Sequence, residues 1–207
     1  IDNFPHNSNY FLNQLLAVKN YYSSISNQLI NFEVGVIDSV YTTSKSMEYY
    51  SFSDQKLGEL FSESVDLAKE SIENYLAINN IEINDVLFVV FHAGLGQDFS
   101  VPFLDPTSND LKSAYIDNDM LDVFNLPIIN DVGINRGILL PETQNFIFYD
   151  VVEDIFPELK NDIEYCGIQV GLTGTFAFLL GYGLNLEPMF LTEGTTGIGK
   201  FGLMDYG

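Results

Sequence analysis

Basic residues are scarce in this sequence. Eight lysines and arginines stand against 29 aspartates and glutamates, which gives a formal net charge of −21 at pH 7. Such a chain would be repelled by the phosphates of nucleic acids and by anionic membrane surfaces. The composition therefore argues against both as partners. We interpret the acidic residues as a solvated surface that favours solubility and cation binding.

Cysteine is nearly absent as well. Cys166 is the only one, so neither an intrachain disulfide nor a zinc site built from cysteines can form within the sequence. A thiol–imidazole pair with His92 is one interpretation of Cys166. A lone cysteine beside an apolar segment is more typical of a small buried side chain.

Long apolar runs are limited to residues 168–186, and this run is interrupted by glycines and polar residues without a flanking basic cluster. These features predict a core helix rather than a membrane span. No signal peptide is evident. The sequence begins with Ile1 and ends at Gly207 inside a motif, so we expect residues 1–207 to form one domain of a longer chain.

Apolar residues are abundant enough for a sizeable core, because the sequence is 46% hydrophobic and has 17 phenylalanines and 12 tyrosines. Periodicity predicts the element order. The predicted elements are a helix over 10–27, a strand over 29–41, a loop over 42–55, a helix from Ser53 or Asp54 to about 79, a central buried strand over 85–91, a loop over 98–119, strand segments over 121–134 and 137–140, a short helix within 145–157, and the helix over 168–186. This order predicts a single mixed α/β (α+β) domain with a twisted sheet and long helices.

The predicted strand over 85–91 runs into His92-Ala93-Gly94-Leu95-Gly96. A strand followed by Gly-x-Gly suggests the dinucleotide-binding motif Gly-x-Gly-x-x-Gly. The third glycine of that motif would fall on Phe99, and no amphipathic helix follows directly. We therefore do not adopt a dinucleotide site.

Three segments together resemble one protein family. They are His92-Ala93-Gly94, Pro141-Glu142-Thr143 and the closing turn Gly199–Gly207, with a looser match at Pro188–Glu193. In this order they resemble the immune-inhibitor-A-like (M6-like) secreted zinc metallopeptidases. The resemblance implies a zincin-like fold, a bacterial secreted or cell-surface protein, and a turn beneath the metal in which Met204 packs.

The zinc motif of that family, His-Glu-x-x-His, is not matched. Aligning on Thr192-Glu193 places its three positions at Phe178, Leu179 and Tyr182, and aligning on Gly183-Leu184 places them at Phe176, Ala177 and Leu180. No histidine follows His92. A zincin needs two imidazoles one helical turn apart and a carboxylate that takes a proton from the bound water. We therefore predict a peptidase-like domain without zinc or activity, a pseudoenzyme that serves as a binding or structural module.

A second hypothesis is an active hydrolase that uses other residues. His92 would act as general base, Asp98 would orient it, and Glu142 or Glu193 would lie nearby. No nucleophile elbow of the Gly-x-Ser-x-Gly type accompanies them. A third hypothesis is an assembly module whose activity resides elsewhere in a longer chain. The partner is then a protein, a peptide or another domain of the same chain.

The acidic loop over 98–119 is a candidate site for Ca²⁺. Oxygen ligands are available at Asp105, Asn109 and Asp110, or at Asp117 and Asp119. No stretch has the twelve-residue calcium-loop pattern, and turns closed by side-chain hydrogen bonds are the simpler interpretation.

Overall fold

The first segment with helical spacing of apolar residues forms helix α1, Ser8–Ile25. The structure is a computed structural model, and it describes residues 6–98, 109–123, 125–144, 146–147, 167–168, 171–189 and 202–205. The side chain of Asn7 accepts hydrogen bonds from the backbone of Asn9 and Tyr10 at 3.1 and 3.2 Å. The predicted helix is confirmed, and its cap lies just before the predicted Ser8 or Asn9.

The strand predicted over 29–41 is wrong, because this segment has no regular secondary structure. Ile30, Phe32, Val34 and Val36 are partly buried as the alternation suggested, whereas Val40 is fully exposed. Ile30 and Phe32 pack against one core cluster and Ile37 against the other. Within the described residues, the segment's only backbone hydrogen bond beyond the turn at its start is a local one, Ser39 to Ile37. The alternation of apolar residues therefore reflects partial burial here, and the segment has no neighbouring strand with which to pair.

Three helices follow. The loop predicted over 42–55 contains the short helix α2, Met47–Tyr50. The long helix predicted after Ser53 is two helices, α3 (Asp54–Leu67) and α4 (Lys69–Asn79), that meet at Ala68. Ser53 caps α3 as predicted, with its hydroxyl accepting from the Lys56 amide at 3.3 Å.

The sheet has three strands in the order β1–β5–β2. Strand β1 is parallel to β5, and β2 is antiparallel to it. The predicted apolar strand therefore lies at an edge, and β5 is central. The strands of the described residues are β1 Phe88–Leu95, β2 Ala114–Ile116, β3 Ile128–Ile129, β4 Val132–Gly133, β5 Gly137–Thr143, β6 Phe146–Ile147 and β7 Gly167–Ile168. Strand β2 falls in the loop predicted over 98–119, because three residues are too few to show a period.

Helices cover both faces of the sheet. Helices α2, α3 and α4 pack on one face, together with Phe88 and Val90 of β1. On the other face, Val89 and Phe91 join α1 and the last helix, α5 (Leu172–Gly183). This two-sided burial confirms what the continuous apolar run predicted, and it gives a mixed α/β domain. No helix of the described residues is long and apolar enough to cross a membrane.

Pro141 lies inside the central strand β5, where a missing amide would normally break pairing. Strand β2 pairs only with residues 137–139 of β5. Pro141 is therefore past the β2 ladder and pairs with His92 of β1 alone. This position brings Glu142 and Gln144 beside the end of β1.

Candidate functional site

A polar cluster surrounds the carboxyl ends of the parallel strands β1 and β5, and His92 is one of its buried ionisable groups. The side chain is 9% exposed, and its Nδ1 lies 3.0 Å from the carbonyl oxygen of Ala93. Burial lowers the pKa of His92, and the Ala93 carbonyl and the carboxylates of Asp98, Asp110 and Glu142 oppose that shift. His92 is therefore neutral at neutral pH.

The tautomer of His92 follows from its neighbour. A carbonyl oxygen only accepts, so Nδ1 of the neutral ring carries the proton. The other nitrogen, Nε2, is buried and has no hydrogen-bond partner in the structure as described. Its lone pair therefore makes no hydrogen bond with any residue that the structure describes.

Glu142 joins the segment before α1 to the strand ends. Its Oε1 lies 2.6 Å from Nδ1 of His6, and its Oε2 accepts from the Gly94 amide at 3.2 Å. The Tyr10 hydroxyl donates to the Glu142 carbonyl oxygen at 3.0 Å, and the His6 ring stacks on Tyr10. Both histidines of the sequence thus lie near one carboxylate. No sequence pattern had linked His6 to this place.

Asp98 has a different role from the one predicted. Its carboxylate accepts from the amide and hydroxyl of Ser113 and from Nε2 of Gln144 at 3.1 Å. Gln144, which is buried, also donates to the Thr175 hydroxyl of α5 at 3.2 Å. The ring of His92 hydrogen bonds to the carbonyl of Ala93 and not to Asp98, which influences it through charge alone.

Helix α5 carries the positions that align with the zinc motif. The rings of Phe178 and Tyr182 meet edge to face, with centroids 5.2 Å apart, and Tyr182 stacks on Tyr115 of β2 at 5.8 Å. Leu179 is buried in the core. Burial also raises the pKa of Tyr182. In the second alignment, Phe176, Ala177 and Leu180 are all buried in the cluster between α1, α5 and the sheet.

The turn at residues 202–205 packs against α5. Met204 is 7% exposed, and the absence of a side chain at Gly181 leaves room for its sulfur. The Met189 amide donates to the Met204 carbonyl at 2.8 Å. Met204 therefore packs against α5 at Gly181.

The predicted calcium set of Asp105, Asn109 and Asp110 stays a prediction, because only part of it lies in the described residues. Asn109 is exposed, Asp110 is buried, and Asp105 lies outside those residues, as do Glu193 and Cys166. Asp117 instead accepts from the amides of Asp119 and Met120, the turn that was the simpler interpretation. Across the described ranges, no group of three His, Cys, Asp or Glu side chains is arranged to hold a metal ion.

Comparison with known proteins adds no relative: no family model, no curated protein and no solved structure matches the chain.

Proposed function

We propose that the protein is a catalytically inactive, M6-like metallopeptidase-type domain of a secreted or surface protein, and that it serves as a binding or structural module. The observation that carries this proposal is the contact among Tyr115, Phe178 and Tyr182. These rings fill one side of α5 at two positions where the resemblance places zinc-binding imidazoles. Aromatic side chains there stabilise packing between α5 and β2 and offer no ligand.

The turn at Met204 supports the same proposal. In the family that the sequence resembles, a turn with methionine lies beneath the metal-binding helix. Here Met204 packs under α5 at Gly181. A scaffold of that type that has lost its ligands keeps its surface for a protein or peptide partner, or for another domain of the same chain.

Metal content tests the proposal. The purified chain is equilibrated with zinc, desalted and assayed by mass spectrometry, and hydrolysis of a fluorogenic peptide library is followed in parallel. We expect no stoichiometric zinc and no cleavage. The H6N/H92N double variant is the matched control, because it removes both imidazoles of the sequence. One equivalent of zinc in the wild type that disappears in this variant would overturn the proposal.

An active hydrolase remains the second candidate, and the neutral His92 with its unengaged Nε2 favours it. In this candidate Nε2 is the general base, Glu142 supplies charge, and Glu193, which lies outside the described residues, stays the alternative carboxylate. The test is cleavage of an ester and peptide panel by the wild type, H92N and H6N. Turnover that H92N abolishes and H6N retains, with an acid limb below pH 6.5, would replace the inactive-module proposal.

A further inference from the structure

A polar groove of about 460 Å³ lies at the other end of the central strand from His92. Arg136, Asp117, Asn84, Asn118 and Asn135 supply its polar side chains. Small-ligand sites in proteins have volumes of roughly 300–1,000 Å³ and place a few polar groups that fix orientation. The groove is therefore large enough for the end of a peptide.

Arg136 is the only arginine of the sequence, and the residue is exposed. It forms no ion pair or hydrogen bond with any residue the structure describes. Ile116 of β2 pairs with Gly137 of β5, so Asp117 and Arg136 are the next cross-strand neighbours. Opposite charges at such positions normally lie within reach of each other. The expected pair is nevertheless not formed.

The turn that follows β2 explains the missing pair. Oδ1 of Asp117 accepts from the amides of Asp119 at 2.9 Å and Met120 at 3.3 Å. These bonds engage Oδ1 with the backbone of its own turn, and the carboxylate forms no ion pair with Arg136. Four described lysines do have carboxylate partners; they are Lys19, Lys56, Lys69 and Lys112.

A guanidinium takes a carboxylate by two parallel hydrogen bonds. The asparagine amides beside Arg136 can both donate to a carboxylate and accept from a neighbouring peptide N–H. Val132 and Ile134 supply an apolar wall of the groove for a terminal side chain. The net charge of −21 repels simple anions at long range and attracts basic chains. We propose that this groove binds the C-terminal α-carboxylate of a basic peptide segment.

This inference does not rest on the loss of zinc ligands in α5, because the groove lies on other elements. Its failure would leave the metal assay unaffected, and a zinc-binding result would leave the groove unaffected. The two proposals are therefore tested separately.

Titration by NMR tests the groove directly, because a single arginine gives a single side-chain Nε–Hε signal. The probe is the acetylated peptide Lys-Ala-Lys-Ala-Leu with a free carboxylate, and its twin has a C-terminal carboxamide. We expect the free acid to shift the Arg136 signal saturably and to bind roughly tenfold or more tightly than the twin. Non-specific attraction predicts the reverse order, because the amide is the more positive. The proposal would be overturned if the two peptides bound with equal affinity. It would also be overturned if the free acid gave no saturable shift that corresponds to a Kd below about 1 mM.

Substitution gives the matching control. Arg136→Gln should bring the two peptides to the same affinity, measured by fluorescence polarisation of labelled copies. Lys45→Gln removes the same charge from a lysine that lies over the Tyr49 ring, outside the groove, and should keep the preference for the free acid. Both substitutions are at surface residues, and circular dichroism verifies the fold. A preference that survives Arg136→Gln would contradict the assignment.

Discussion

Gly181 of helix α5 lies so close to Met204 that a Cβ atom added to it would overlap the sulfur. We predict that Gly181→Ala lowers the free energy of unfolding by about 1–3 kcal/mol, because the core next to it is packed. Gly174 of the same helix has open space at its Cβ position. Gly174→Ala should be neutral or stabilise by up to about 1 kcal/mol through helix propensity.

Urea denaturation of the two variants measures both effects. In the double variant G181A/M204A the two losses should be less than additive, because truncating Met204 removes the overlapping thioether. If Gly181→Ala and Gly174→Ala changed stability alike, the packing of the turn under α5 would be refuted.

His92 makes stability depend on pH in one direction. Its pKa is lowered from 6.5 in the folded protein by burial, so the unfolded chain takes up a proton first on acidification. The stability from the neutral ring is fully present above pH 6.5 and is lost as the pH falls through the folded-state pKa. His92→Asn keeps a donor for the Ala93 carbonyl and removes this titration.

Urea denaturation at about pH 7.5 and about pH 5 provides the comparison. We expect the wild type to lose more stability than H92N between the two values. Carboxylates titrate in both proteins and largely cancel. Identical losses would show that His92 is solvated or paired in the folded state.

Helices α1 and α5 are joined by the hydroxyl of Tyr22, which donates to the Ala177 carbonyl at 2.7 Å. Burial, with a smaller contribution from Tyr21, raises the pKa of Tyr22 to about 12. We predict that Tyr22→Phe costs about 1 kcal/mol at neutral pH. The hydroxyl's contribution to stability is present below pH 10.0, the ordinary pKa of a tyrosine. It is lost as the pH rises towards about 12, the pKa in the folded protein.

Tyr41→Phe is the control, because the Tyr41 hydroxyl binds Ser71 at an exposed site. Thermal unfolding should distinguish the two at neutral pH. A Tyr22→Phe protein as stable as Tyr41→Phe would mean that the contact between α1 and α5 does not depend on this bond.

The elements show what periodicity can and cannot predict. Helix α1 and the two-sided burial of β1 follow from apolar spacing, which depends on local sequence alone. The segment over 29–41 has the spacing of a strand but no pairing partner, and a partner cannot be inferred from the segment itself. The break at Ala68 has no proline or glycine to announce it.

The candidate site divides in the same way. His92 and Glu142 lie near the carboxyl ends of β1 and β5, and Asp98 follows β1; the sequence named all three as candidates. His6 reaches Glu142 only because α1 packs across the sheet. Asp98 prefers Ser113 and Gln144 to His92, a choice set by the fold of residues distant in sequence.

The charge of the whole molecule sets its response to salt. A net charge of −21 makes the compact state repel itself. Screening shortens the Debye length from about 8 Å at 0.15 M ionic strength to about 3 Å at 1 M. We predict that the urea midpoint rises over this range in sodium chloride, even though exposed ion pairs such as Lys19–Glu33 weaken.

The same experiment in sodium perchlorate distinguishes charge screening from the exclusion of salt from the protein surface. At equal ionic strength both salts screen charges equally, but the two anions differ in their effect on the hydration of apolar surface, where chloride has little effect. A rise confined to the first part of the range in both salts supports self-repulsion. A midpoint that is flat or falls in sodium chloride would contradict it.

The parallel pairing of β1 with β5 has a consequence for the order of folding. Phe88 meets Gly137 only after all the chain between them has been confined, and closing so long a loop is entropically expensive before any contact rewards it. The consecutive helices α3 and α4, joined at Ala68, depend on local contacts and should form first. We therefore expect Leu139→Ala, in the buried middle of β5, to accelerate unfolding and to leave the refolding rate nearly unchanged, as stopped-flow kinetics would show. The strand ends that carry His92 and Glu142 would then be assembled last, and opened first.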